Sequence, residues 1–122
     1  YAWSTFRKRV SDKTYDSVLI GWTADNLDPD NFFRPVLTCD SKSNRSNWCD
    51  ENYDELVYKA IQETEQEKRI AIYQKALGII NTELPLVPIA HAVRYQPYRS
   101  HINGININPI GGISFIDVEK AQ

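Results

Sequence analysis

The chain has 122 residues, 42% of them hydrophobic and 25% charged, which excludes a disordered or fibrous protein and fits one ordinary globular unit. Fourteen Lys and Arg against sixteen Asp and Glu leave a formal charge of −2, which disfavours nucleic acid or an anionic membrane surface as a partner. No apolar run approaches the ~20 residues of a membrane-spanning helix.

Met is absent, and Tyr1-Ala2-Trp3-Ser4 resembles the interior of an element, so the chain reads as a processed or excised piece of something longer. Trp3, Phe6 and Val10 fall on one face of a helix. Tyr15 to Trp22 reads as a strand, because Ser17-Val18-Leu19-Ile20 is apolar and β-prone and Gly21 follows. From Thr23 to Cys39 no periodicity survives among Asp, Asn and Pro, despite the embedded Phe32-Phe33, and the segment reads as a long structured loop of the kind that often carries function.

Cys39 and Cys49 flank a polar stretch rich in Ser and Asn. Zinc needs about four ligands, and neither His91 nor His101 completes such a pattern. The C-x-x-C spacing of a redox dithiol is missing. A disulfide closing a hydrophilic loop in an oxidising compartment fits the spacing better, with two unrelated reduced thiols as the alternative.

Two helices follow. Asn52 begins an N-cap pattern with Glu55 three residues on, and Tyr53, Leu56, Val57, Ala60 and Ile61 then form one apolar face. Thr64 to Glu67 repeats the pattern, and Ile70, Tyr73, Leu77 and Ile80 form the second face. Pro85 stops this helix near Leu84. Leu86 to Val93 reads as an apolar strand confined to an edge by Pro88. Ile105-Asn106-Ile107-Asn108 alternates as a half-buried strand, and Gly111-Gly112 turns into another over Ile113 to Val118. The order α, β, loop, α, α, β, β, β defines an α/β or α+β class.

Few residues suggest chemistry. The stretch Asp25 to Asn31 concentrates Asp25, Asp28 and Asp30, but no register meets the ligand spacing of a calcium loop. Either a carboxylate here meets a cationic ligand group or the three serve Asx turns and helix caps. No G-x-S-x-G elbow exists, His91 in an apolar strand reads as a packed core histidine, and no catalytic, metal or cofactor-binding residue is expected. Arg94-Tyr95-Gln96-Pro97-Tyr98-Arg99 interleaves cations with aromatics, but two cations in an acidic chain make a weak nucleic-acid platform.

Several stretches together resemble the dipeptide/oligopeptide group of periplasmic receptors that serve ABC importers. They are Tyr15-Asp16-Ser17, Gly21-Trp22-Thr23, Asp28-Pro29-Asp30-Asn31-Phe32, Trp48-Cys49, Tyr53-Asp54-Glu55-Leu56 and Leu86-Val87-Pro88-Ile89-Ala90, with Cys39. Phe32-Phe33-Arg34-Pro35, Glu83-Leu84-Pro85 and Tyr98-Arg99 look most like the branch associated with antimicrobial-peptide uptake.

The resemblance implies an α/β chain forming the C-terminal quarter of a two-lobed, type II periplasmic binding protein fold. Residues 1–93 would belong to the C-terminal lobe, and residues 94–122 would return across the hinge to the N-terminal lobe. By position Asp25 matches the family's anchor for the ligand's α-ammonium, Trp22 would stand beside it as a cleft wall, and Thr23 and Ala24 would line the same turn. Ala24 and Leu27 stand where dipeptide receptors tend to have Gly, which weakens a claim to dipeptide specificity. Cys39 and Cys49 match the family's disulfide. The implied partners are a peptide, an inner-membrane ABC permease and the remaining N-terminal part of the same protein, in the periplasm. Heme is a second ligand within the same fold, and a small secreted interaction module is the alternative of a different class.

Overall fold

A computed structural model describes residues 1–93, 95–108 and 110–121. The chain divides into two compact units, Tyr1–Val87 and Pro88–Gln122. Arg94, which opens the aromatic–cation segment and marks the predicted hinge crossing, lies outside the described residues.

The first unit begins with helix α1, Trp3–Ser11, where the rings of Trp3 and Phe6 stack 5.4 Å apart and Val10 is buried. The predicted strand over Tyr15 to Trp22 does not form. The segment is irregular, and Leu19 and Ile20 are exposed because no neighbouring strand among the described residues offers a ladder. The predicted long loop is shorter than expected, because helix α2, Asp30–Leu37, occupies its second half. Three features make this short helix: Pro29 presets the entry, Asp30 complements the first turn, and Phe33 and Leu37 face the core.

Helix α3, Glu51–Gln62, starts earlier than predicted. The cap is Asp50 rather than Asn52, and its carboxylate accepts the Tyr53 N–H at 2.7 Å. Tyr53, Val57 and Ala60 are fully buried, Leu56 is half-buried, and Ile61 is exposed, outside the core face. Helix α4, Gln66–Glu83, follows after residues 63–65, with Glu65 rather than Thr64 at its N-cap. Its buried residues are Ile72, Tyr73 and Ala76, while Ile70 and Leu77 of the predicted face are exposed. Apolar residues fall on more than one face of this helix, and packing against α3, not periodicity, decides which stripe turns inward. The helix ends at Leu84 in the left-handed region (φ 50°), directly before Pro85.

The core joins α2, α3 and α4. Tyr53 is its centre: Phe33 lies 6.5 Å away on one side, Trp48 meets it edge-on at 5.1 Å, and its hydroxyl donates to Phe33 O at 2.8 Å. Phe33 also packs on Tyr73 at 4.8 Å, so one α2 ring reaches both helices of the hairpin.

The predicted edge strand over Leu86 to Val93, which spans the boundary of the two units, does not form, and His91 is exposed rather than packed in a core. Among the described residues of the second unit, four two-residue strands make two antiparallel pairs: β1, Ile102–Asn103, with β4, Glu119–Lys120, and β2, Asn106–Ile107, with β3, Ile113–Ser114. The register slips between the pairs, because residues 115–118 on one arm face only Gly104 and Ile105 on the other. This interruption explains why the predicted Ile113 to Val118 strand is cut short. Gly104, at φ +76°, makes it feasible, since a Cβ there would sit 1.8 Å from Asp117 O.

Candidate functional site

The turn between Trp22 and Asn31 is held by its own Asn and Asp side chains. Asn26 Oδ1 accepts the Asp28 N–H at 2.9 Å, and Asp28 Oδ1 accepts the Asp30 N–H at 2.8 Å, two successive Asx-type links that lead into α2. Asn31, in the first turn of α2, grips the turn at two points. Its Oδ1 accepts the Asp25 N–H at 2.7 Å, and its backbone oxygen accepts the Trp22 indole N–H at 2.6 Å.

The second bond has a cause legible in the residue order. Pro35 sits four residues beyond Asn31 inside the helix and has no N–H to offer that carbonyl. The oxygen is thus free to fix the indole of Trp22. The Asn31–Pro35 spacing is the sequence signal that marks Asn31.

Trp22 and Asp25, the predicted cleft wall and anchor, are thus brought to one turn by one asparagine. Thr23 and Ala24 lie between them, Ala24 half-buried and the others exposed. Among the described residues the Asp25 carboxylate has no ion-pair or hydrogen-bond partner. Asp28 differs: its Oδ1 receives Arg69 Nη2 at 2.6 Å. Asp30 turns inward, and its buried Oδ1 has no partner among the described residues. The three carboxylates therefore separate into an open one, a paired one and a buried one.

The pairing has a sign that solution measurements can read. The Arg69 hydrogen bond, helped by the Asp30 amide, holds the Asp28 carboxyl below its ordinary value, against a smaller opposing effect of burial. A lowered folded-state value contributes stability above the unfolded pKa of about 3.9, and that contribution drains away as pH falls through the lower folded value. Asp28→Asn is therefore expected to flatten the acid limb of a stability–pH profile below about pH 4. The effect is modest, because the Asp28 side chain is 40% exposed and solvent screens the pair. An unchanged acid limb in urea titrations of the variant contradicts the assignment.

Cys39 and Cys49 are joined, with Cα atoms 4.7 Å apart. The loop they close is organised around buried Asn44, whose Nδ2 donates to Leu37 O, Thr38 O and Trp48 O while Oδ1 accepts the Ser46 N–H and hydroxyl. Asp54 of α3 accepts the Cys39 N–H at 3.1 Å. Burial, reinforced by Asp40, Asp50 and Glu51, raises the Asp54 pKa even though that amide works the other way. In the loop-entropy account a bridge of this span stabilises by about 3 kcal/mol. Alkylation of the isolated protein without reductant, followed by mass spectrometry, is expected to leave both cysteines unlabelled; two labelled cysteines contradict the bridge.

No family model matches the chain. Individual relatives do. The chain is 41% identical over its full length to di/tripeptide-binding protein 1 of Pseudomonas aeruginosa, covering 23% of that protein. It is 38% identical over 93% of its length to the peptide transport periplasmic protein SapA of Salmonella typhimurium, covering 21% of it. Among solved structures, the dipeptide-binding protein of a Pseudoalteromonas species in complex with Met-Leu superposes with a TM-score of 0.85 at 42% identity, over 98% of this chain and 24% of that one.

By sequence and by fold the chain is homologous to part of the periplasmic dipeptide- and peptide-binding proteins, and its mixed helices and strands are a portion of the type II binding-protein fold. It spans less than a quarter of the length of the curated relatives it matches. The chain is about as similar to the di/tripeptide-binding protein, at 41% identity, as to SapA, at 38%.

Proposed function

We propose that this chain is part of the substrate-binding component of an ABC importer, a periplasmic receptor that captures peptides between two lobes and delivers them to an inner-membrane permease. In this reading residues up to 93 belong to the C-terminal lobe, and the chain from 94 onward returns to the N-terminal lobe. The receptor binds and releases; it does no chemistry on its ligand. Its relatives are binding proteins of this kind, for di- and tripeptides or for peptide transport by name.

The observation that carries the reading is the division of labour among the carboxylates. Asp28 is neutralised by Arg69 within the protein, whereas Asp25 is presented on a turn fixed through Asn31, beside the equally fixed Trp22, with its charge unspent among the described residues. A cleft that closes over Asp25 takes that charge out of water, which is costly unless the ligand brings a cation. The α-ammonium of a peptide supplies one, and backbone contacts then tolerate varied side chains. Trp22 walls the amine subsite, and Thr23 and Ala24 line it.

The test is the content of the receptor as isolated. Full-length protein purified from periplasm and denatured is expected to release peptides, identified by mass spectrometry, whose lengths and charges tell short peptides from cationic antimicrobial ones. Heme, the other ligand implied by the resemblance, would announce itself by a Soret band. A Soret chromophore without peptides contradicts the proposal.

A further inference from the structure

Resting on the reading of Asp25 as the ligand anchor, we infer that Arg69 is the positioning residue that holds the Trp22–Asp25 turn in its binding geometry. Arg69 lies at the start of α4, remote in sequence from the turn, yet its guanidinium binds in several directions at once. Nε donates to Ala60 O at 2.9 Å. That carbonyl belongs to the last turn of α3, where no helical N–H follows to take it. Nη2 donates to Asp28 Oδ1 at 2.6 Å and lies 3.3 Å from the Tyr73 hydroxyl. The cation also stacks over the Tyr73 ring, 5.3 Å from its centroid.

One planar group therefore ties the end of α3, the core face of α4 and the turn together. The Asp28 oxygen it holds is the same one that accepts the Asp30 N–H and starts α2. Asn31, one residue further, holds Trp22 and Asp25. The path from Arg69 to the site is thus Arg69, Asp28, the first turn of α2, Asn31, and then the two site residues, each step a hydrogen bond or a peptide bond. Lysine cannot replace it: an ammonium is a point charge without the rigid fork that serves Ala60 O and Asp28 together.

The experiment uses the full-length receptor and two conservative variants, Arg69→Lys and Asp28→Asn, with amide hydrogen exchange and calorimetric titration by the dipeptide Met-Leu. In each variant the amides of Asp25, Asp28 and Asp30 are expected to exchange about tenfold faster, while the central amides of α3 and α4 keep their wild-type rates. Affinity for Met-Leu is expected to fall about tenfold in either single variant and no further in the double variant, as residues acting through one path do.

Wild-type exchange in the turn overturns the inference. So does equal acceleration throughout the α3–α4 hairpin, which marks a general structural role, and so does a loosened turn with unchanged affinity. The anchor reading is judged separately by Asp25→Asn in the otherwise wild-type receptor. If Asp25→Asn leaves Met-Leu affinity unchanged, the anchor reading falls, and in that case the exchange rates alone decide whether Arg69 holds the turn.

Discussion

Asp25→Asn is expected to weaken binding of a free-amine peptide to the full-length receptor by roughly 30-fold or more, with little change in thermal stability. The magnitude follows from leaving a desolvated ammonium without its counter-charge, a loss of about 2–5 kcal/mol. Stability should hold because the carboxylate makes no hydrogen bond or ion pair among the described residues; only the Asp25 N–H is engaged, and Asn keeps that donor. Calorimetric titration beside a thermal melt separates the two effects. Asp28→Asn behaves differently, because that carboxylate belongs to the protein's own ion pair and its loss is felt in the turn and in the acid limb. A loss of less than about threefold for Asp25→Asn contradicts the anchor assignment.

Tyr53→Ala carries the largest expected cost in stability. The side chain is fully buried, packed between Phe33 and Trp48, and its hydroxyl satisfies the Phe33 carbonyl. Removing a buried aromatic of this kind costs about 3–5 kcal/mol, the sum of lost transfer free energy and the cavity left behind. Tyr53→Phe keeps the ring and removes one hydrogen bond to a carbonyl that α2 already engages, at a cost of about 0.5–1.5 kcal/mol. Burial also holds the phenol's pKa far above its ordinary value, so the hydroxyl remains a donor at any physiological pH. Urea unfolding of the receptor variants, followed by far-UV circular dichroism, should rank them wild type, Phe, then Ala. Equal midpoints for all three contradict the place given to Tyr53 at the centre of the core.

These two residues also mark how far the sequence could be read. Tyr53 was legible because α3 shows a clean apolar stripe behind a cap, although the cap proved to be Asp50. In α4 the same reasoning placed Tyr73 and Ile80 at the core correctly but chose Ile70 and Leu77 in place of Ile72 and Ala76, since the apolar residues of this helix offer more than one face and only its neighbour selects one. Helix α2 was missed because a short element opening on Asp-Pro-Asp and containing Pro35 has the composition of a loop; packing of Phe33 and Leu37 stabilises what propensity does not. Tyr15 to Trp22 and Leu86 to Val93 failed as strands for one physical reason. A strand is a pairing, and an apolar β-prone run states only half of it.

The site divides the same way. Trp22 and Asp25 were marked by resemblance to the family, and the structure brings them to one turn. Asn31, which bonds both, is marked in the sequence by Pro35 alone. Arg69, proposed to hold the turn through Asp28, is visible only in the structure, because a hydrogen bond from α4 back to Asp28 leaves no local pattern in the chain.

In the proposed reading the receptor selects peptides through their free amine. Two calorimetric titrations of the wild-type full-length receptor decide it, one with a series of di- to tetrapeptides and one with the same series N-acetylated. Saturable binding of free peptides, weakened by roughly 30-fold or more on acetylation, is the expected result. Equal affinity for the free and acetylated forms would contradict it.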